Sequence, residues 1–378
     1  MYRDDSKTSS DQGQPVISPK QHAHVEKKLS GLEQAASVVF KKIIATHSNS
    51  EVDVELSTSE HATLLKFVFI MKCRSTNFFE RFNYQYSADY KDNDKATLIA
   101  YMRDKGHVRP IDVWFEMIVK IVDLDMDGDD EWDTKLQELI YPELADWAWI
   151  IMRKMYPVIC TPSNSQQEFV LSEHAYSLFE GPVTSGAWVE FHTMCILAPR
   201  VALLMRSDVL PEDMEDKDIH VKAKRQEALA QCTRPFPKPD QARSKLHDLP
   251  VSRPRIIHGK DRDVKTAVNQ EFSTDMKLSF SVFVLAQDDI DSINSVILEE
   301  ASDLSLIVFK SKEGLKLALE AYLSRPIRLG MFSMKRVLSD DDDPKLIYLK
   351  QLEKVAEQLG STIKAVYKKE AVDLAIKG

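Results

Sequence analysis

Apolar residues recur at three- and four-residue steps through the N-terminal part of the chain, and this spacing is typical of helices that bury one face. Helical stretches are predicted at residues 25–43, 57–82, 94–102, 110–122 and 132–155. The second of them starts at Ser57-Thr58-Ser59-Glu60, where a Ser followed three residues later by a Glu forms a helix-start signal. The pattern therefore predicts a helical body over residues 25–156.

Later in the chain the apolar positions form short runs rich in β-branched and aromatic residues, which is the pattern of strands. Strands are predicted at residues 168–171, 188–195, 201–205, 280–285 and 306–309. Helices at 288–300 and 312–323 follow the last two strands, and this order allows those strands to pair in parallel. A final apolar stripe at 346–359 predicts an amphipathic C-terminal helix. The predicted class is α+β, with a mainly helical N-terminal half packed on a small β-sheet.

Composition divides the chain into a tail, one mixed domain and a C-terminal extension. Residues 1–24 are polar and predict a disordered tail. Residues 217–262 hold twelve Lys or Arg against five Asp or Glu, with repeated prolines, so 211–270 is predicted to be an exposed basic insertion. The predicted units are a single mixed domain at 25–325, with strand-containing parts at 165–210 and 278–325, and an acidic linker with a helix at 326–378.

The overall charge is acidic, with a formal net charge of -9 and a pI near 5.7, which argues against a nucleic-acid partner. The basic stretch has a single aromatic residue, Phe236, and so lacks the stacking series of single-strand binders. Apolar clusters such as 64–71 are far shorter than the roughly 20 residues of a membrane span. The start of the chain lacks the apolar core of a secretory signal. Because the four cysteines are widely spaced, reduced thiols in the cytoplasm or nucleus are predicted.

Two strings in the centre of the chain resemble a known family. They are EFVLSEHAYSLFEGP at 168–182 and WVEFHTMCILAPRVALLMRS at 188–207, and they are similar to the fungal branch of domain-of-unknown-function family 4238. Segments at 32–37, 67–76 and 290–298 support the resemblance, which covers most of residues 26–325. Since the activity of the family is not established, the resemblance implies an architecture and no reaction.

The chain departs from the family pattern at two places. The family opens with a His-Pro and Tyr-Leu-Arg-Phe type segment, and this chain opens with a polar tail, so the N-terminal family segment is predicted to be missing. The family also carries a Ser/Thr-Asp-Asn-Pro run after its central strand, where this chain has Ser172-Glu173-His174-Ala175. Any chemistry that depends on this run in relatives is therefore predicted to be altered or lost here.

Polar residues gather on the predicted central strands, namely Ser172, Glu173, His174, Glu180, Glu190 and His192. A histidine paired with a carboxylate can act as a general acid or base near neutral pH, and two histidines with a glutamate can hold a divalent metal. The candidate catalytic residues are His174, His192 and Glu180. Along one strand Glu190 and His192 would share a face, so a solvated surface pair is the alternative.

Arginines also lie among apolar neighbours, at Arg74, Arg200 and Arg206. Such an arginine can anchor a carboxylate or phosphate through its planar fork, or it can lock a helix by pairing with a buried acid such as Glu33 or Glu173. The candidate ligand-binding residues are Arg74, Ser172, Glu173 and Arg200. Loss of the Arg74 side chain is predicted to cost a few kcal/mol, because a buried partner would be left unpaired.

The stretch Asp123-Leu-Asp-Met-Asp-Gly-Asp129 matches the opening of a calcium-binding EF-hand loop. Its twelfth position is Thr134 in place of a bidentate Glu, and its eighth is Asp130 in place of an apolar residue. An acidic loop between helices is the favoured interpretation, and weak Ca²⁺ binding through Asp123, Asp125 and Asp127 is the alternative.

These observations support two functional hypotheses. The first is a non-enzymatic or accessory protein that binds a protein partner or a small ligand in a cleft between helices and sheet. The second is a metal- or His-dependent hydrolase, such as a nuclease, with His174, His192 and Glu180 near the reaction and Arg74 steadying an anion. The sequence contains no P-loop, dinucleotide-binding or serine-hydrolase motif and specifies no cofactor.

Overall fold

The computed structural model describes residues 19–126, 132–173, 176, 178–183, 187–212, 215–258, 264–266, 276–303, 306–325, 335–338 and 342–370. The helices in these residues are α1 (Pro19–Ser48), α2 (Thr58–Cys73), α3 (Thr76–Phe82), α4 (Lys95–Lys105), α5 (Pro110–Asp123), α6 (Trp132–Leu139), α7 (Pro142–Arg153), α8 (Ile219–Thr233), α9 (Gln287–Glu300), α10 (Lys312–Ser324) and α11 (Pro344–Gln358). The strands are β1 (Asp53–Ser57), β2 (Met155–Pro162), β3 (Leu171–Ser172), β4 (Leu178–Glu180), β5 (His192–Ala198), β6 (Val201–Ser207), β7 (Arg255–His258), β8 (Val264–Thr266), β9 (Met276–Leu285), β10 (Ile307–Val308), β11 (Arg336–Leu338) and β12 (Lys368–Glu370).

Local sequence signals place the starts of several helices. At α2 the Ser57 hydroxyl accepts the Glu60 N–H at 3.1 Å, and the Glu60 carboxylate accepts the Ser57 N–H at 2.8 Å. This is a capping box, and it confirms the helix start that the sequence predicts. Pro110 and Pro142 lie in the first turns of α5 and α7, where a missing N–H needs no partner.

The main sheet of the described residues has eight strands in the order β4-β5-β6-β2-β9-β7-β8, and β1 also pairs with β9. Strands β2 and β9 are parallel, and the other neighbours in this sheet are antiparallel. Separate two-stranded ladders join β10 to β3 and β11 to β12.

Helices cover both faces of the central strands. In β6, Leu203 and Met205 belong to the core formed with α1, α2, α5 and α7, whereas Ala202 and Leu204 belong to the core formed with α9, α10 and α11. Successive side chains of a strand point to opposite faces, so each core occupies one face of the sheet. Every residue of β2 and β6 is buried, as expected for strands covered on both sides. The fold is α+β with a helical N-terminal half, as predicted.

The sequence pattern does not predict β2, although it lies between β6 and β9 in the middle of the sheet. The single helix predicted at 132–155 is two helices, because Pro142 begins α7 after a break, and the chain becomes extended at Met155. A strand buried on both faces lacks the alternation of polar and apolar residues by which half-buried strands are recognised. Its short apolar run therefore reads as a continuation of the preceding helix.

The predicted parallel pairing of the strands at 280–285 and 306–309 is wrong. The parallel neighbour of β9 is β2, with Ile159 opposite Val282. Strand β10 pairs antiparallel with β3, with Ile307 opposite Ser172. The order of elements is a local property, whereas the partner of a strand depends on contacts that are distant in sequence.

The stretch predicted to be an exposed basic insertion takes part in the fold. It contains α8, and its strand β7 joins the main sheet beside β9. Leu246, Leu249 and Val251 are buried in the core that α9, α10 and α11 form. The excess of basic residues is a property of the whole stretch, and it hides the few apolar residues that are buried. Composition alone therefore predicts an exposed segment.

The C-terminal helix α11 also belongs to that core. Leu346, Leu349 and Leu352 are buried against it, so α11 is packed on the domain and does not stand apart. At the other end, α1 begins at Pro19, before the predicted start at Val25, and the rest of the predicted tail lies outside the described residues.

Residues 127–131, the centre of the EF-hand-like loop, also lie outside the described residues. At the start of this loop the Asp123 carboxylate lies 2.5 Å from Lys28 Nζ. Over the part of the chain that the structure describes, no helix is both long and apolar enough to cross a membrane.

Candidate functional site

Two of the predicted catalytic residues meet in a row of side chains that crosses three strands. Glu180 of β4 lies opposite His192 of β5, and His192 lies opposite Arg206 of β6. Directly opposed residues on neighbouring strands project to the same face and are close enough to touch. His192 Nδ1 is 2.8 Å from Glu180 Oε2, and His192 Nε2 is 2.8 Å from Arg206 Nη1. We call these three residues the buried row.

The hydrogen bonds of the buried row determine the protonation of His192. Because the Arg206 guanidinium can only donate, His192 Nε2 accepts, and its Nδ1–H donates to the Glu180 carboxylate. Burial lowers the pKa of His192, against the opposing effect of Glu180. Burial alone would raise the pKa of Glu180, but its hydrogen bonds, first that from His192, lower it overall. A neutral imidazole therefore joins a carboxylate to a guanidinium, and neither ring nitrogen is available as a base.

The buried row also fastens a distant segment to the sheet. The Ser244 hydroxyl donates to Glu180 Oε2 at 2.9 Å, and the Lys245 N–H donates to Glu180 Oε1 at 2.5 Å. Arg206 donates at 2.9–3.0 Å to the backbone carbonyl oxygens of Pro211, Leu246 and His247. The row thus holds residues 244–247 against β4, β5 and β6.

Access to the buried row is closed. The exposed fractions of Glu180, His192 and Arg206 are 2%, 0% and 0%. A general acid or base must reach the proton that it transfers, directly or through one water. The geometry therefore suits a structural clamp, and it does not present His192 and Glu180 to a substrate.

Glu190 lies on the opposite face of the sheet from His192, so the predicted shared face is wrong. Its Oε1 accepts hydrogen bonds from Lys72 Nζ of α2 and from Thr193 Oγ1. The strand begins only at His192, so the alternation of a regular strand does not extend back to Glu190. Both residues are buried, which also excludes the solvated surface pair.

The remaining predicted site residues are dispersed. Arg200 donates at 2.8–2.9 Å to the carbonyl oxygens of Pro162, Asn164 and Gln167 and so supports a turn after β2. Ser172 is buried in the ladder of β3 and β10, and Glu173 is exposed. His174 lies outside the described residues.

Arg74 makes the ion pair with Glu33 that the sequence suggests. Its Nη1 lies 2.5 Å from Glu33 Oε1 of α1, which ties α2 to α1. The Glu33 side chain is 48% exposed, however, so the predicted burial of the partner is wrong. Arg74 itself is 15% exposed, so the pair joins a largely buried guanidinium to a half-exposed carboxylate.

We expect Arg74→Ala to lower the free energy of unfolding by about 1–2 kcal/mol, since the pair with half-exposed Glu33 contributes about 0–1 kcal/mol and the largely buried Arg74 stem is lost as well. Urea denaturation followed by circular dichroism measures the change, and Glu33→Ala serves as the matched variant from the other side of the pair. A loss above about 3 kcal/mol for Arg74→Ala would restore the idea of a buried anchor.

An open cleft that the sequence analysis does not predict lies between the helical half and the loop that enters β5. Its volume is about 620 Å³. The residues that line it are Arg81, Lys91, Asp92, Asn93, Asp94, Glu143, Trp147 and Trp188. We call it the tryptophan cleft.

One wall of the tryptophan cleft is a stack of two indole rings. Trp147 of α7 and Trp188 lie 4.0 Å apart with an angle of 11° between their planes. The buried Lys72 ammonium lies 5.2 Å from the centre of the Trp147 ring, an attractive cation–π arrangement, and Glu190 holds that ammonium. Trp188 is the outer member of the stack and is 36% exposed.

The position of Trp188 depends on a close backbone approach at Gly181. A β-carbon at Gly181 would lie 1.8 Å from the carbonyl oxygen of Val189, so only glycine fits here. The Val189 N–H donates to the Pro182 carbonyl at 2.9 Å, and Val183 forms an antiparallel bridge with Trp188. This narrow backbone pairing places Trp188 beside Trp147.

Arg81 is the centre of the polar part of the cleft. Its Nε lies 2.6 Å from Asp92 Oδ2, and its Nη2 lies 2.9 Å from Asp94 Oδ2 and 2.7 Å from Glu143 Oε1. The Tyr141 hydroxyl donates to Asp94 Oδ2 at 2.6 Å. One guanidinium therefore contacts three carboxyl groups.

Asp94 and Glu143 are neighbours because both accept a hydrogen bond from Arg81 Nη2. Burial and the hydrogen bond with Asp94 raise the pKa of Glu143 to about 7. Burial raises the pKa of Asp94, but hydrogen bonds from Glu143 and Tyr141 outweigh this and hold it below its usual range. Near neutral pH Asp94 is ionised and Glu143 is partly protonated.

The sequence contains part of the signal for this cleft. Glu143 and Trp147 are four residues apart in α7 and therefore share one helix face. Their partners are distant, since Arg81 and Glu143 are 62 positions apart, and no local pattern links them. Trp147 by itself reads as part of an apolar core segment.

Within the described ranges, no group of three or more His, Cys, Asp or Glu side chains is arranged to hold a metal ion. The carboxyl groups of the tryptophan cleft surround the Arg81 guanidinium. The cleft therefore combines hydrogen-bonding groups with an aromatic surface.

Comparison with known proteins identifies the family of the chain. No curated protein and no solved structure matches the sequence. The model of the DUF4238 family, described as a protein of unknown function, matches residues 1–313. Because the match starts at residue 1, the predicted absence of the family's N-terminal segment has no support. The chain belongs to the DUF4238 family.

Proposed function

We propose that this protein is a non-enzymatic ligand-binding module whose small ligand occupies the tryptophan cleft. One contrast supports the proposal. The cleft offers the exposed ring of Trp188 in an open volume of about 620 Å³, whereas His192 and Glu180 are buried. Ligand sites typically have volumes of about 300–1,000 Å³ and combine aromatic side chains with a few polar groups.

A metal- or His-dependent hydrolase is the alternative function, and the geometry of the described residues favours it less. Both nitrogens of His192 are already hydrogen-bonded, and the described lining of the cleft contains no His, Cys or Ser. Asp94 and Glu143 both accept hydrogen bonds from Arg81 Nη2, so the guanidinium occupies the space between the two carboxyl groups that a glycosidic bond would need. Chemistry that depends on His174 stays a prediction.

The cysteines support the inference of a reducing compartment, which is the cytoplasm or the nucleus. Cys73, Cys160 and Cys195 are buried free thiols, and burial raises the pKa of each of them. Protonated, buried thiols are poor nucleophiles and suit structural positions. Membership of the fungal branch of the family rests on the two central sequence strings and stays a prediction.

Native mass spectrometry tests the proposed function with the unmodified chain, Trp188→Ala and Trp149→Ala. Each protein is incubated with the low-molecular-mass fraction of a cell extract, exchanged into volatile buffer and measured. We expect the unmodified chain to retain a small molecule and Trp188→Ala to lose it, because the exposed ring is the main apolar contact of the cleft.

Trp149→Ala is the matched control, since Trp149 packs against Lys154 and does not line the cleft. It should retain the same small molecule as the unmodified chain. Equal retention by Trp188→Ala, or no bound molecule on any of the three proteins, would contradict the proposed function.

A further inference from the structure

The charges that line the tryptophan cleft nearly cancel. Arg81 and Lys91 are cations, Asp92 and Asp94 are anions, and burial together with the hydrogen bond to Asp94 raises the pKa of Glu143 to about 7. Two cations therefore face two anions and one partly protonated carboxyl group at neutral pH. The cleft has at most one net negative charge with which to attract a charged ligand.

Arg81 also opposes the entry of an ion of either sign. It contacts Asp92, Asp94 and Glu143 at 2.6–2.9 Å. An anion would have to displace one of these carboxyl groups from the guanidinium, and a cation would meet the like charge of Arg81. Leaving a charged group without its partner carries a desolvation penalty, so a neutral ligand is favoured.

The groups at the surface of the cleft suit a ring with an apolar face and a polar edge. Trp188 is 36% exposed, and the negative face of an indole ring attracts weakly positive C–H groups. Asp92 and Asn93 are exposed neighbours in the chain. A carboxylate accepts at both oxygens, and an amide both donates and accepts, which complements adjacent hydroxyl groups.

We infer that the ligand of the tryptophan cleft is a neutral carbohydrate, with one sugar ring stacked on Trp188 and its hydroxyl groups bound by Asp92, Asn93 and Glu143. This inference rests on the proposed ligand-binding function and names its ligand class. The volume of about 620 Å³ leaves room for a short oligosaccharide. The sugar is bound and not cleaved, since the Arg81 guanidinium lies between the Asp94 and Glu143 carboxyl groups.

The experiment is a glycan array that contains neutral, sialylated, sulfated and amino-sugar oligosaccharides. It is probed with the fluorescently labelled full chain, Trp188→Ala and Trp149→Ala, and calorimetry with the best-bound glycan measures the dissociation constants. We expect binding to at least one neutral glycan, a dissociation constant about tenfold or more higher for Trp188→Ala, and an unchanged one for Trp149→Ala.

Ionic strength separates a neutral ligand from a charged one. For a neutral sugar the dissociation constant should change by about twofold or less between low and high salt, because no ion pair is screened. For a charged ligand, screening of its ion pairs weakens binding by about tenfold or more.

Three outcomes would overturn the inference. They are no binding to any neutral glycan, preferential binding to sulfated, sialylated or amino glycans, and neutral-glycan binding that Trp188→Ala leaves unchanged. If the cell-extract experiment then still gives an adduct that depends on Trp188, the ligand-binding function stands and only the carbohydrate class fails. If that adduct is absent as well, both fail.

Discussion

We expect Arg206→Ala to lower the free energy of unfolding by about 3–5 kcal/mol, the range for removing one partner of a buried ion pair. The guanidinium is fully buried and bonds His192 and three backbone carbonyl oxygens. Without it the buried Glu180 carboxylate loses the positive end of the row, and the carbonyls lose their donors. Urea denaturation of both proteins, followed by circular dichroism, measures the difference.

Arg243→Ala is the matched control from the same part of the chain. Arg243 pairs with Asp248, but the two side chains are 57% and 82% exposed, so its loss should change stability by less than about 0.5 kcal/mol. Arg206→Met separates charge from packing, because methionine keeps much of the volume. If Arg206→Ala and Arg243→Ala have similar stabilities, the buried row does not hold the segment at 244–247.

The second large effect is expected at Lys72. Lys72→Ala removes the ammonium that pairs with the Glu190 carboxylate, which is 3% exposed and keeps the hydrogen bond from the Thr193 hydroxyl. A buried carboxylate without its cation is strongly destabilising, so we expect a loss of about 3–5 kcal/mol. Thermal and urea denaturation measure it, and tryptophan fluorescence reports the loss of the ammonium beside Trp147.

A double variant tests the reason for that loss. In Lys72→Met with Glu190→Leu both charges are replaced by apolar groups, so stability should return to within about 1 kcal/mol of the unmodified chain. The exposed pair of Lys277 and Glu55 supplies the control, and Lys277→Ala should change stability by less than about 0.5 kcal/mol. A double variant as unstable as Lys72→Ala would show that packing, not the unpaired charge, causes the loss.

The buried row and the buried pair of Lys72 and Glu190 together explain how the tryptophan cleft is held in place. Trp188 stacks on Trp147 in the cleft, and two residues later Glu190 pairs with Lys72 of α2 on one face of the sheet. Two residues after that, His192 joins Arg206 on the other face. The segment at 188–192 is therefore anchored on both sides of the sheet. A rigid wall of this kind lowers the ordering cost of ligand binding.

The sequence alone determined the elements of this protein that depend on local interactions. The apolar stripes, the capping box at Ser57 and Glu60, and the strand at 201–205 depend on residues a few positions apart, so their pattern is visible along the chain. The α+β class and the helical N-terminal half follow from these elements.

Only the tertiary structure decided which elements are neighbours and which polar groups meet. The place of β2 in the sheet, the engagement of both His192 nitrogens and the contacts of Arg81 with Glu143 all join residues that are far apart in sequence. The sequence points to His192 and Glu180 as chemically capable residues, but their burial is a property of the packed layers. Burial and partner choice arise from long-range packing of side chains, which no local pattern encodes, and for that reason the tryptophan cleft becomes visible only in the folded chain.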